Sequence, residues 1–454
     1  MKNIFNQLLC CFCVAILLGS CTKDDLDLAP LSAIGDNGFY TTSEEVEGAV
    51  IAIYDGLQEV PMREFALTEM RSDNTKTKSS EGDWAQFESF SVQPTNLAIG
   101  SYWSANYNVI FRANRVLENL EVVNNSVVGQ FEGEAKFARA LAHFNLVRAY
   151  GGVPIVDKVI LPTDTDYFDR DTEDAVLSAI ESDLTDAVSL LPARSAIAEG
   201  RATRGAAEAL LAKVKLTRKD YTGAEALLSK LIDDADYALV ENYSDVFYSE
   251  MNSEIIFAIA YLDDDANESQ DFSFEMTVGG AVSGLNFVTN DFVAAVDSLD
   301  TERAAVFFNP LNSAETGKFI TQSSDARLCG NDWIVLRLAD VYLMYAEAIL
   351  AGNSSTTSAK AIDAYNAVRA RVGLSELGSS DELTKDLLLQ ERRMELAFEN
   401  HRLYDLVRFG VAENVLSAFA ATQGYSFAPT DLLLPIPQGE INVSQGLLIQ
   451  NPGY

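Results

Sequence analysis

Histidine is nearly absent from this chain: His143 and His401 are the only two in 454 residues. They are too few and too isolated for a zinc site of the His-Glu-x-x-His kind, and His143, beside Phe144 and Leu146, reads as an ordinary packed helix residue. Basic residues are scarce as well. Lys and Arg number 33 against 67 Asp and Glu, a formal charge of −34. Such a surface repels nucleic acid and anionic lipid headgroups, since neither gains Coulomb attraction from it. Four of the five cysteines, Cys10, Cys11, Cys13 and Cys21, fall near the start, leaving Cys329 alone in the body. One thiol makes no internal disulfide, so the fold rests on its core, and Cys329 reads as a small buried apolar side chain. There is no Gly-x-Ser-x-Gly elbow, no phosphate-cradling glycine loop and no dinucleotide fingerprint. No cofactor, metal or catalytic residue is expected, and the chain reads as a binding protein rather than an enzyme.

The longest early apolar run is the eleven residues from Leu8 to Leu18. Spanning a bilayer takes about 20. Preceded by Lys2, this run suits a signal peptide instead. It ends in Leu18-Gly19-Ser20-Cys21, which looks like a lipobox: small residues before the cut, then a cysteine whose thiol accepts diacylglycerol. Cys21 is the expected lipidation site, and several acyl chains hold a protein on a membrane where one chain does not. Thr22-Lys23-Asp24-Asp25 resembles a Lys-acidic-acidic signal for export to the cell surface. The expected division is a leader over 1–20, a lipidated tether over 21–40 and one body over 41–454. That body divides into a helical part, 41–235, and an irregular and C-terminal part, 236–454.

What the body does have is apolar periodicity. Hydrophobic residues make up 48% of the chain, enough for a large core. Thr42 and Glu45 form a capping box ahead of Val46, Val50, Ile53 and Leu57 on one helical face. Helices are expected over 102–120, 131–150 (stopped by Gly151, Gly152 and Pro154) and 173–191. Residues 203–234 read as a helical hairpin: Thr203 caps it, Asp220-Tyr221 turns it, and Ala212 and Ala224 take the small positions of a tetratricopeptide-like pair. Residues 61–98 break the pattern and read as a long loop. Tyr237–Val240 and Glu254–Ala260 look like short strands in an irregular stretch. Helices resume at 338–350, 358–371 and 381–408, the last with charges at i,i+4 spacing that read as a salt-bridged face. Asp263-Asp264-Asp265 reads as a solvated acidic run.

Five stretches carry a resemblance. They are Tyr102-Trp103 through Asn114; Ala135 through Gly152-Val153-Pro154; Trp333-Ile334-Val335-Leu336-Arg337-Leu338-Ala339-Asp340 through Ala346-Glu347-Ala348; Glu391-Arg392-Arg393-Met394-Glu395-Leu396-Ala397-Phe398-Glu399 through Arg402, Asp405 and Arg408; and Leu434-Pro435-Ile436-Pro437 with Gln450-Asn451-Pro452-Gly453-Tyr454. Together they resemble the SusD/RagB family, outer-membrane nutrient-binding lipoproteins that partner SusC-like TonB-dependent transporters. The resemblance implies a mostly α fold, a single helical body with tetratricopeptide-like pairs and a loop-rich ligand face with a few short strands. It also implies a surface-exposed, lipid-anchored protein that acts as a lid on the transporter barrel and delivers an oligosaccharide. The 391–408 motif is expected to set the fold rather than touch ligand.

The resemblance puts the ligand on the 61–98 loop and parts of 262–330. The candidates there are Asp73, Asn74, Trp84, Phe87, Phe90 and Asn286, with Phe272, Phe274 and Phe287 behind them. Aromatic faces stack on the C–H face of a sugar, while Asp and Asn take its hydroxyls. Trp84, Phe87 and Phe90 would equally well pin the loop to the body, and Asp73 and Asn74 would equally well cap a turn. Three tryptophans, two of them (Trp103 and Trp333) inside structural motifs, make a thin stacking platform. An oligopeptide cargo, as in the RagB branch, is therefore the alternative.

Overall fold

The computed structural model of the chain describes residues 39–454 apart from 79–81, 162, 280–283, 321–324 and 326. The leader, Cys21 and nearly all of the tether lie outside the described residues.

Eight helices pack as a ladder, each against the next. They are α1 (Ser43–Gln58), α2 (Leu97–Leu117), α3 (Val128–Tyr150), α4 (Glu173–Leu190), α5 (Arg204–Thr217), α6 (Tyr221–Ile232), α7 (Leu338–Leu350) and α8 (Ala359–Arg371). Caps set their starts. Thr42 accepts from Glu45 N–H and completes the capping box of α1, and Thr203 and Asp220 accept from Ala206 and Gly223 N–H to begin α5 and α6. Gly151, at φ 74°, ends α3, a conformation only glycine adopts without strain. Small residues let the ladder close: Ala206, Ala207, Ala209, Ala212 and Ala224 are fully buried. The hairpin of α5 and α6 has the tetratricopeptide-like form expected from the sequence.

The ladder is interrupted once. Between α6 and α7 the chain leaves for residues 233–337, yet α6 packs directly on α7 as though they were neighbours in sequence. The excursion contains short helices and five short strands, one paired antiparallel with a strand before it and the other four with each other, among them Phe308–Asn309 with Asn312–Thr316. Strand β1 (Thr75–Lys76) pairs with β3 (Phe287–Val288), and β2 (Ile255–Ile259) pairs with β4 (Trp333–Arg337). Tyr237–Val240 is not a strand; it belongs to no sheet, although Ala238 N–H donates to Ser253 O at 3.0 Å.

Two further expectations change. The 61–98 segment is not an open loop but holds the helices Pro61–Leu67 and Gly82–Glu88, a single 3-10 turn over Glu69–Arg71, and β1. Its polar residues are consumed by local and long-range hydrogen bonds, which is why periodicity did not reveal it. The expected helix over 381–408 is two helices, α9 (Lys385–Glu395) and α10 (Arg402–Arg408). Phe398 and Asn400 between them sit at φ 67° and 64°, outside the helical region.

That break lets the charges of the motif turn inward. Rather than pairing along one solvated helix face, they pair across the core. Arg337 donates to Glu254 (2.9 Å), Glu395 (2.6 Å) and Glu399 (2.7 Å), and Arg371 reaches both Glu254 and Glu395. Lys318 donates to Glu399 at 2.7 Å, while Glu391 accepts from Arg303 and Arg369. Asp300 closes the set beside Arg303 at 3.2 Å. The cluster joins five cations to five carboxylates, so it is neutral as a unit. Burial alone would push the Glu395 and Glu399 carboxyls up, but Arg371 and Arg337 hold Glu395 well below the usual range, and Arg337 and Lys318 hold Glu399 below it.

The tail lies against the ladder. Leu434 and Ile436 are fully buried, Leu434 N–H donates to Ala149 O at 2.7 Å, and Asn451 Nδ2 donates to Tyr150 O and Leu434 O. These bonds satisfy carbonyls that the end of α3 would otherwise leave unpaired. Cys329 is buried, and so is His143, whose pKa burial pushes down to about 4.

Candidate ligand face

The 61–90 segment and the excursion, widely separated in sequence, meet in one face. Asn286, at φ 55°, is the joint: its Nδ2 donates to Phe65 O and its Oδ1 accepts from Thr75 Oγ1 at 3.0 Å. The β1–β3 pairing then locks Thr75 opposite Val288 and Lys76 opposite Phe287. Above this joint the rings form a column. Trp84 leans on Phe65 (5.9 Å between centroids) and Phe87 (5.6 Å), Phe65 on Phe272 (6.0 Å), and Phe272 on the edge of Tyr261 (5.8 Å).

The structure separates the sequence candidates by exposure. Trp84 is half-buried and keeps part of its ring at the surface. Phe87 and Asn286 are fully buried, and Phe90, at φ 54°, packs edge-on to Phe427 at 5.1 Å. Asp73 is buried under a fork from Arg402 (2.7 and 2.8 Å) with Arg393 at 3.1 Å. Burial opposes its charge, but the two guanidiniums hold its carboxyl below the usual range. Asn74 donates to Glu69 (3.2 Å) and accepts from Arg393 (2.9 Å). Asp73 and Asn74 thus tie the face to α9 and α10, with Trp84 at the surface above them. Phe272 and Phe287 are buried, whereas Phe274 is half-exposed with the Arg327 guanidinium 5.0 Å over its ring.

Beside Phe274, Asp271 has a buried Oδ1 with no hydrogen-bond partner, and burial pushes its pKa up against the pull of Arg63. At the Tyr261 end of the column lies a groove of about 200 Å³. Exposed Tyr248 and Leu262 give it apolar surface, while Glu250, Asp263 and Asn331 give it hydroxyl-binding groups. The floor is tight, since a Cβ on Gly330 would come within 2.9 Å of Asp263 N. Tyr248 is held by donating its hydroxyl to Gly317 O. Sequence reading missed Tyr248, Asn331 and Arg327. The ring-rich stretch from Tyr243 to Tyr248 and the Gly330-Asn331 pair were the signals available. Among the described residues no group of His, Cys, Asp or Glu is arranged to hold a metal ion.

A helical ladder interrupted by one excursion, with an inward-turned Arg/Glu motif, is the SusD-like fold, whose family consists of non-catalytic binding proteins. Comparison with known proteins agrees. A model of the SusD family matches residues 313–454, and one described as starch-binding, associating with outer membrane, matches 26–216. The chain belongs to the SusD/RagB family. It is 25% identical to SusD-like protein P25 of Formosa agariphila, over 96% of this chain and 98% of that one. It is 26% identical to a SusD-like protein of Bacteroides ovatus, over 88% of this chain and 82% of the relative. A laminarin-binding SusD-like protein of known structure superimposes with a TM-score of 0.75 at 29% identity, covering 91% of this chain and 100% of that chain.

Proposed function

We propose that this protein is a lipid-anchored, surface-exposed outer-membrane lipoprotein that captures an oligosaccharide on the face around Trp84 and Tyr248 and delivers it to a SusC-like TonB-dependent transporter. The reading rests on one observation above the rest: half-exposed Trp84 ends a buried aromatic column whose other end, Tyr261, opens on a groove where the exposed ring of Tyr248 stands with Glu250, Asp263 and Asn331. Rings meet the apolar face of a sugar, and the acids and amides take its hydroxyls in pairs. The laminarin-binding structural relative points to a β-glucan as the first cargo to try. Cys21 serves as the anchor, and Asp73, Asn74, Phe87, Phe90 and Asn286 serve as the framework beneath the contact surface.

Calorimetry of the body lacking residues 1–21, titrated with laminarin oligosaccharides and with mixed oligopeptides, tests this. Saccharide binding is expected, weakened about tenfold or more by Trp84→Ala and by Tyr248→Ala, as for aromatic hot spots. Binding of peptides alone would overturn the glycan reading and leave an oligopeptide carrier. Co-purification of the membrane form with a TonB-dependent barrel tests the partner.

A further inference from the structure

A larger cleft, of about 480 Å³, opens elsewhere and shares no residue with the ligand face. It lies where the ends of α3 and α5 meet α10 and the tail. That volume falls in the range of sites that enclose a small molecule, roughly 300–1,000 Å³. Its walls are apolar: Val147 from α3, Val407 from α10, and Pro429, Leu432 and Leu433 from the tail.

Its charged lining is unusual for so acidic a chain. Four cations border it, Arg148, Lys213, Lys219 and Arg408, against Glu173 and Asp405. Two of the cations are already neutralised. Lys213 pairs with Asp340 at 2.8 Å, and Arg408 pairs with Glu347 at 2.6 Å and Asp405 at 2.7 Å. Asp405 is further engaged by Arg392 at 2.9 Å. Glu173 stands exposed at the rim. Arg148 and Lys219 form no ion pair among the described residues.

Arg148 is held as a fixed receptor. Its guanidinium lies 4.3 Å from the ring centroids of both Phe144 and Tyr404. Its Nε donates to Phe144 O (3.3 Å) and its Nη2 to Asn145 Oδ1 (2.8 Å), leaving Nη1 without a partner among the described residues. The acid it faces, Glu64, accepts a hydrogen bond from Tyr102 and makes no ion pair with Arg148; burial raises its pKa against the pull of Arg148. A guanidinium clamped between rings, with a free N–H and no paired carboxylate, is preorganised for an incoming anion. The aliphatic walls offer no partners to sugar hydroxyls, which would be desolvated at a cost there.

We propose that this cleft is a second binding site, for a carboxylate carried on an apolar body, with Arg148 taking the charged end and Val147, Val407, Leu432 and Leu433 enclosing the body. It is independent of the glycan reading. The test is calorimetry of the full body with monomeric decanoate, with decanol as the neutral control. Decanoate is expected to bind at one site, with decanol about tenfold weaker or more, the difference made by one charge-assisted hydrogen bond. Arg148→Gln should weaken decanoate by a similar factor, with near-ultraviolet circular dichroism confirming the fold. Val407→Trp, at an exposed rim position, should block the cleft without disturbing the core. Equal binding of decanoate and decanol, an unchanged affinity in either variant, or no heat with decanoate would each overturn the proposal.

Discussion

The helical ladder and the C-terminal motif solve the same problem by opposite means. In the ladder, α5 and α6 close mostly over alanines and leucines; ion pairs such as Arg218–Asp174 stand at the surface, and Lys213–Asp340 is a buried one. Around α9 and α10 the core itself is charged: Arg337, Glu395 and Arg303 are fully buried, each among opposite charges. Apolar packing is tolerant and local. A buried charge cluster demands every partner, and its partners here come from 254, 300–318, 337, 369–371 and 391–399. The ladder therefore builds a frame, and the charge cluster fixes how the excursion attaches to it. Burying ions is a poor route to stability but a strict one to geometry, a role this face would use.

The comparison predicts a graded set of losses. Arg337→Met should be the most severe, leaving Glu254, Glu395 and Glu399 short of cations at a cost of about 3–5 kcal/mol in urea unfolding. If it proves neutral, the cluster is not what fixes the excursion. Leu228→Ala in α6, a fully buried ladder position, should cost roughly 2–4 kcal/mol by the same measurement without altering saccharide affinity.

Glu69 sharpens the contrast through pH. It sits beneath the ligand face with its pKa pushed up to about 7 by burial, against the hydrogen bonds from Asn74 and Asn400. Between about 4.5 and 7 the unfolded carboxyl is ionised while the folded one holds its proton, so the native state binds more protons and stability falls as pH rises. The Glu69 share should be on the order of 2–3 kcal/mol and appear as the difference between parent and Glu69→Gln in denaturant melts at pH 4.5, 6 and 7.5, since Asp332, also pushed up to about 7, and the buried His143 and His401 titrate in both proteins. Parallel profiles for the parent and Glu69→Gln would show that Glu69 is hydrated in solution. Thr203→Ala should show the smallest effect, about 1 kcal/mol from the lost cap on Ala206 N–H.

The same contrast decides what could be read from sequence. The helices of the ladder were legible, most ends within three residues and the start of α2 missed by five, because caps such as Thr42 and Thr203, stops such as Gly151 and small positions such as Ala212 and Ala224 act within one or two helical turns. The 61–98 segment was not, since its helices are held by distant partners: Asn286 on Phe65 O, and Arg402 on Asp73. The α9–α10 break was hidden because Glu399 gains more from Arg337 and Lys318 than from a helix face. At the candidate site, Trp84 was legible as a ring in a polar stretch. Its buried neighbours and the Tyr248 groove depend on which loops meet, and periodicity does not encode that.

One consequence follows from α6 packing on α7 across the missing stretch of ladder. The excursion behaves as a cassette clipped into a continuous scaffold at Ile232 and Leu338. Closing a longer loop between fixed ends costs little, about 0.6 kcal/mol for each doubling of its length. The excursion can therefore be lengthened or exchanged almost freely, provided the replacement still presents a cation at the place of Arg337 to Glu395 and Glu399 of the scaffold.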